Sequence, residues 1–334
     1  MTDSPAPTET TTDTIPPESV AADQEQTTGD PVTQASTPPP EPPSSDGRQT
    51  RVITFINQKG GVGKTTTTMN LGHALARAGQ RVLMVDLDPQ AHLTLYNGVD
   101  PDTLEKTIYD LLIEDNVTAA ETVIELDPNR GILPADVNLA GVESELAERV
   151  SSGNAQTILR DKVSAVADQF DYVLIDCPPS LGLLTVNALT LAREVIVPMQ
   201  AHFLALQGLG KLLETVQLVS EGINPTLKVA GVILCMHEGQ TILASEVTAD
   251  VESFLLESRN TPAPWAQAVV YQPPVRRNIK LAESPSFGQS IFDYAANCPG
   301  AIDYAKLAES VIRHGSPAQT ASEPASQTAG DVPS

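Results

Sequence analysis

Five short runs of nearly unbroken apolar residues constrain this chain most: RVITFIN (51–57), RVLMVD (81–86), DYVLID (171–176), EVIVPM (194–199) and KVAGVILCM (228–236). A strand with one face in water alternates apolar and polar residues; a strand covered on both faces does not. The runs therefore read as a parallel sheet buried on both sides. Between them, residues 64–78, 138–150, 155–169, 183–192, 206–221 and 242–257 repeat their apolar positions at helical spacing, and Gly79 stands where a helix would end on a left-handed residue. Strands alternating with helices require right-handed crossovers, which predicts an α/β, doubly wound, mainly parallel sheet flanked by helices. There is no internal repeat. Ligands of such sheets bind beyond the carboxyl ends of the strands, so the residues that follow each apolar run carry the functional information.

After the first run comes NQKGGVGKTTTT, residues 57–68. Gly60, Gly61 and Gly63, with Val62 between them, stand between a strand and a helix, where small residues let backbone N–H groups wrap an anion. In the P-loop pattern G-x-x-x-x-G-K-[ST], Lys64 would reach the β- and γ-phosphates and the Thr65 hydroxyl would reach magnesium. The pattern puts its first glycine at position 58, which is Gln58 here, so the loop is a deviant one. It also holds one lysine more than phosphate binding needs, Lys59. A glycine-rich turn with surface lysines is the alternative, but strand, loop, Lys-Thr and helix stand in the order nucleotide binding requires.

Two other runs end in acids. RVLMVDLDPQ supplies Asp86 and Asp88, and DYVLIDCPPS supplies Asp176. Magnesium keeps several waters and needs one or two protein carboxylates, which suits Asp176 as the acid that holds it. Asp88 is the better candidate for orienting or deprotonating an attacking water. Without the loop, each acid would read as a strand-end cap.

Composition sets the domain plan. Residues 1–49 hold nine acids against one base, many Pro, Thr and Ser, and no apolar run, and such a segment cannot offset its ordering entropy. The sequence predicts disordered tails at 1–49 and 315–334 around a single domain at 50–314, long enough for a sizeable core. Of the formal charge of −22, about −12 falls on the folded part, which weighs against strong non-specific nucleic-acid binding by the whole surface. The first residues have neither a basic start nor an apolar stretch, and no run approaches membrane-spanning length, so a cytoplasmic protein is expected. Cys177, Cys235 and Cys298 are far apart and odd in number, which points to neither a disulfide framework nor a zinc site.

In order along the chain, NQKGGVGKTT, VDLDPQ, LPADVNLAGVESEL, YVLIDCPPSLG, VPMQAHFLALQGL, RRNIKLAESPSFGQSI and DYAKLAESV each resemble segments of the ParA/Soj family of deviant Walker ATPases, within the wider group that includes MinD. The match covers nearly all of residues 51–313. The resemblance implies ATP and magnesium as ligands, a homodimer formed with ATP, hydrolysis that is slow without a ParB-like activator, and a role in chromosome or plasmid partition. It gives Lys59 a role across a face-to-face dimer, on the phosphates bound by the other subunit, with Gly61 allowing the two loops to approach. It also implies that Thr65 ligates magnesium, Thr66 contacts the α-phosphate, Asp86 supports the metal and lysine network, Asp88 positions water, and Asp176 holds magnesium through water. Met236 and Pro274 would border the adenine.

The family binds DNA without sequence preference, which would place the protein on the nucleoid. Here Arg276, Arg277 and Lys280 keep one basic segment, while MHEGQT puts Gln240 where an arginine is common and so neutralises half the patch; ESRNTPAPWAQ (257–267) lengthens the connection between the two regions. DNA binding is therefore expected to be weak. A MinD-like membrane ATPase would need a basic amphipathic terminus, but the chain after LAESVIRHG is acidic and rich in Pro, Ala and Ser. The cysteine positions do not suit an iron-protein reductase. A metabolic P-loop ligase stays open in principle, though Lys59 and the downstream segments argue against it. Within the family, a ParA-like positioner of another cargo, such as a large protein assembly, is the alternative to a partition ATPase.

Overall fold

The computed structural model describes residues 49–149, 155–202, 205–239 and 241–315, all within the unit Gly47–Ser334. The tails expected at 1–49 and 315–334 lie almost wholly outside the described residues, as does Gln240. Eight strands form one sheet: β1 (Arg51–Phe55), β2 (Val82–Asp86), β3 (Ile124–Asp127), β4 (Arg130–Leu133), β5 (Tyr172–Asp176), β6 (Glu194–Met199), β7 (Lys228–Leu234) and β8 (Val269–Val270). Their order is β3-β4-β2-β5-β1-β6-β7-β8, and every pair except β3–β4 is parallel.

The helices are α1 (Lys64–Arg77), α2 (His92–Tyr96), α3 (Ile108–Ile113), α4 (Ala119–Thr122), α5 (Val142–Arg149), α6 (Ile158–Ala167), α7 (Leu183–Leu191), α8 (Ala205–Gly222), α9 (Ile242–Glu257), α10 (Ile279–Glu283), α11 (Ile291–Tyr294) and α12 (Pro299–Gly315). The unbroken apolar runs divide residue by residue between two cores, because successive side chains of a strand point to opposite faces. Val52, Leu83, Val85, Val173 and Ile175 join the core that also takes Leu111, Leu159, Leu189, Leu212 and Val251. Ile53, Phe55, Val82, Met84, Tyr172 and Leu174 join the core on the other face, with Leu71, Leu75, Tyr304 and Val311. The fold is thus doubly wound, as the runs require.

Three strands carry no clear signal in the sequence, and the C-terminal helix lies beyond the helical stretches expected from it. β3 and β4 form an antiparallel hairpin whose turn is closed by the Asp127 carboxylate, which accepts from the Asn129 N–H at 2.9 Å and from Arg130 Nε at 2.6 Å. Each of these strands has four residues and β8 has two, too few to show a period. The helix expected at 138–150 opens as a 3₁₀ turn, Val137–Gly141, before α5, and the one expected at 155–169 narrows to α6. At the sheet's opposite end Arg51 pairs with Glu194 at 2.6 Å and donates to the Val311 carbonyl at 2.6 Å, tying β1 and β6 to α12. Among the described residues no helix is long and apolar enough to cross a membrane.

Candidate active site

The loop between β1 and α1 is held from beneath. Asn57 Nδ2 donates to the Pro198 carbonyl at 2.8 Å, and its Oδ1 accepts from the Lys59 N–H at 3.0 Å. Val62 is buried, while Gly60 and Gly61 are exposed. Gly61 has φ +70 with nothing within 4 Å of a would-be Cβ, so backbone conformation alone demands glycine there. Gly63 (φ +97) is constrained twice, since a side chain would also lie 3.3 Å from Cys235 Cβ. It is the N-cap of α1, and no side chain caps that end. The first-turn N–H groups are therefore available to an anion, and the helix dipole favours one there.

Register brings the acids beside this loop. β5 lies between β1 and β2, so Asp176 is level with both Phe55 and Asp86. Asp176 is fully buried. The Thr68 hydroxyl donates to its Oδ1 at 3.5 Å, and its buried Oδ2 has no hydrogen-bond partner. Burial, reinforced by the Asp86 charge, pushes this acid well above the ordinary carboxylate range. Burial likewise lowers Lys64, against the pull of Asp176. An orphaned carboxylate oxygen beside a threonine hydroxyl is a hard-oxygen donor set that magnesium fits.

Asp86 differs. Its Oδ1 accepts from the Asp88 N–H at 3.1 Å, and its Oδ2 accepts from the N–H and hydroxyl of Thr94 at 2.9 and 2.8 Å. Burial raises it to about 6 in spite of these bonds. Both oxygens are thus engaged by protein groups, and the support Asp86 gives passes through the backbone of Asp88. Asp88 is half-buried at the mouth of the site, its Oδ1 accepting from the Gln90 N–H at 3.0 Å.

Lys59 lies outside this cluster, exposed, with Nζ 2.7 Å from His202 Nε2. On the other side of the loop, a cavity of about 370 Å³ is lined by Gly63, Thr66, Met236, Val275, Ile279 and Tyr304, an apolar slot of the size a purine needs. Met236, at φ +49, accepts from Gln200 Nε2, which also donates to the Gly61 carbonyl at 3.2 Å. Pro274 lines a separate neighbouring hollow with His237, Arg277 and Lys306, and Val275 lines the slot.

Each of the three bases expected to meet DNA has an acidic partner. Arg276 grips the buried Asp303 with Nε at 3.0 Å and Nη2 at 2.8 Å, Arg277 pairs with Glu238 at 2.9 Å, and Lys280 pairs with Glu283 at 2.7 Å.

A family model described as an AAA domain matches residues 50–229. The sporulation initiation inhibitor protein Soj of Bacillus subtilis is 40% identical over 269 residues, 79% of this chain and 99% of that protein. The chromosome partitioning protein ParA of Caulobacter vibrioides is 41% identical over 265 residues, 78% of this chain and 94% of that protein. The chain belongs to the ParA/Soj family of partitioning ATPases. Among solved structures, a Mycobacterium smegmatis protein described as cobyrinic acid a,c-diamide synthase, with bound ADP and magnesium, is 36% identical with a TM-score of 0.66, covering 80% of this chain and 95% of its own. A substituted form of Cyanothece McdA in complex with ATP, at 24% identity and TM-score 0.67, shares the fold over 80% of this chain and 97% of its own. In this ParA/Soj member the structure adds contacts to which the sequence assigned no role: Thr94 on Asp86, His202 on Lys59, Gln200 beneath the loop and Tyr304 in the apolar slot. His202 and Gln200 stand just after a strand, where they could have been found. Thr94 and Tyr304 sit in helices and carry no such signal.

Proposed function

We propose that the protein is an ATP-dependent dimerising switch that hydrolyses Mg-ATP slowly and acts in chromosome or plasmid partition with a ParB-like activator. The observation that carries this reading is the uncapped start of α1, which opens with Lys64 and Thr65 and whose Thr68 bonds the buried Asp176, itself left with one unpartnered oxygen, while Lys59 stands exposed outside the cluster. Gly60 to Gly63 and the first amides of α1 bind the phosphates, Lys64 neutralises the β- and γ-groups, and Thr66 reaches the α-phosphate. The adenine enters the slot beside Met236. Thr65, and Asp176 through water, would hold magnesium, which neutralises charge on the phosphates when bound.

Asp88 orients the attacking water and takes up its proton. Positioning supplies most of such catalysis, so turnover without a partner is slow. Lys59 acts on the nucleotide of a second copy. ATP concentrates negative charge at the dimer interface, a lysine from each side offsets it, and loss of the γ-phosphate releases the pair. Sequence-independent DNA, met weakly by Arg277 and Lys280, would be the track and would place the protein on the nucleoid. Pairing of those bases with acids favours keeping a second reading, a positioner of another large cargo that uses a different surface.

The test is light scattering and phosphate release on wild type, Lys59→Ala and Asp88→Ala, with ATP and magnesium but no acid or amine acceptor. Wild type dimerises and turns over slowly, Lys59→Ala stays monomeric, and Asp88→Ala accumulates as an ATP dimer. An ATP dimer of Lys59→Ala, or wild-type hydrolysis by Asp88→Ala, overturns the corresponding role. Hydrolysis that requires an acceptor overturns the switch.

A further inference from the structure

The Asp88 loop is set by a buried hydrogen-bond relay that begins two elements away. The Ala135 N–H, just beyond β4, donates to Thr94 Oγ1 at 3.0 Å, and Thr94 in turn donates its hydroxyl (2.8 Å) and its N–H (2.9 Å) to Asp86 Oδ2. The other Asp86 oxygen accepts from the Asp88 N–H at 3.1 Å. Thr94 and Asp86 are both fully buried. A hydroxyl that accepts from a backbone amide has its own proton left to give, so the Ala135 bond fixes the direction in which Thr94 donates. With two donors on Oδ2, the carboxylate plane is fixed and Oδ1 is aimed at the Asp88 amide.

We infer that Thr94 is a positioning residue for hydrolysis: it holds Asp86 so that Asp86 holds the Asp88 backbone, and it keeps Asp86 from turning towards the unpartnered oxygen of its neighbour Asp176. This rests on the reading of Asp88 as the water-orienting acid. The relay joins two segments far apart in the chain, LPAD (133–136) and DLDPQ (86–90), so the geometry of the water site depends on where the end of β4 lies. Thr94 touches neither Lys64 nor Thr65 in this relay, and its removal should spare phosphate binding. The effect belongs to kcat.

The experiment compares Thr94→Val, which keeps the shape and removes the hydroxyl, with Thr94→Ser, which restores it. Thr94→Val is expected to lower kcat about tenfold, the scale of a hydrogen bond to a charged group, with KM within about twofold and the ATP dimer accumulating. Thr94→Ser is expected to recover most of the rate, and hydrogen exchange at the Asp88 amide should quicken in the valine variant only. Should Thr94→Val not fold, Thr94→Ala carries the same measurements. A variant that loses ATP affinity and dimer together with rate has a structural residue at 94, which overturns the inference, as does an unchanged kcat. Asp88→Ala is run alongside. An inactive Asp88→Ala beside an unimpaired Thr94→Val overturns this inference alone, whereas wild-type turnover by Asp88→Ala overturns the Asp88 reading and this one with it.

Discussion

Lys59 and His202 are in direct contact, Nζ to Nε2 at 2.7 Å, so the lysine outside the phosphate cluster is docked on its own subunit. Burial, with the Lys59 charge beside it, holds His202 below the usual histidine range, and the neutral ring accepts from the amine. To reach a nucleotide on a second copy the lysine must leave this partner. His202→Ala is therefore expected to favour the ATP dimer, by about two- to fivefold as befits an exposed polar contact. Light scattering against protein concentration reads it, and a weaker dimer would mean that His202 aids the interface instead.

Lys64 and Asp176 predict a split between phosphate and metal. Lys64→Ala is expected to abolish ATP binding measured by calorimetry. Asp176→Asn is expected to keep ATP binding without magnesium but to lose at least about tenfold of the gain magnesium gives, as when a group acting through a metal's outer shell is removed. The same substitution should raise the melting temperature of the nucleotide-free protein at neutral pH, because it removes a carboxylate that burial disfavours in its charged form. A lower melting temperature would sink the argument that Asp176 is kept for the site at the expense of stability.

The legible parts of the fold and site are those whose signal is local. β1, β2, β5, β6 and β7 show as unbroken apolar runs because both faces are covered; Lys64 and Thr65 show through the glycine loop that leads into α1, and Asp86, Asp88 and Asp176 because each lies at or just beyond a strand end. The β3–β4 hairpin is hidden by short strands at a sheet edge, and Thr94 by its place in a five-residue helix. The bases at 276, 277 and 280 can be read, but not the acids that meet the two arginines: Asp303 lies 27 residues from Arg276 and Glu238 lies 39 from Arg277.

His73 on α1 predicts the pH dependence of stability. Burial, then the Arg130 guanidinium against its ring, pushes it down to about 4, although Asn97 bonds Nε2 at 3.1 Å. Its folded value lies below the unfolded value of 6.5, so the fold favours the neutral ring. The stabilising contribution is complete above pH 6.5 and is lost as pH falls towards 4, in all about 3 kcal/mol. Asp86, raised to about 6, acts in the opposite sense but is common to both proteins in a comparison with His73→Gln. Between pH 7.5 and 5 wild type should therefore lose more stability than His73→Gln in urea titrations. Parallel pH profiles would show that the fold leaves His73 at its unfolded value and overturn the argument.

DNA binding turns on how firmly each base is held by its acid. Arg276 is engaged twice by a carboxylate with 5% side-chain exposure, and its own N–H donates to the same group at 3.1 Å. Removing the guanidinium leaves the buried Asp303 with that N–H but no cation, a cost of about 1–3 kcal/mol. Arg277 and Lys280 are 75% and 45% exposed, and pairs such as theirs exchange readily for phosphate. Two phosphate contacts per subunit give weak binding, whose logarithm falls with the logarithm of salt at a slope of about −0.9 per contact, and dimerisation doubles the patch and raises avidity. The Asp88→Ala dimer should therefore bind DNA of any sequence at low salt and release it at moderate salt. Arg277→Ala and Lys280→Ala should each weaken that binding and flatten the slope by about 0.9 for every phosphate no longer neutralised. Arg276→Ala should lower the melting temperature and leave the slope unchanged, and Gln240→Arg should strengthen binding. A salt titration of fluorescence anisotropy on labelled duplex separates these outcomes. If Arg276→Ala flattens the slope as much as Arg277→Ala, Asp303 yields its arginine to phosphate; if the trapped dimer ignores DNA even at low salt, the track is another surface and the second reading of the function takes precedence.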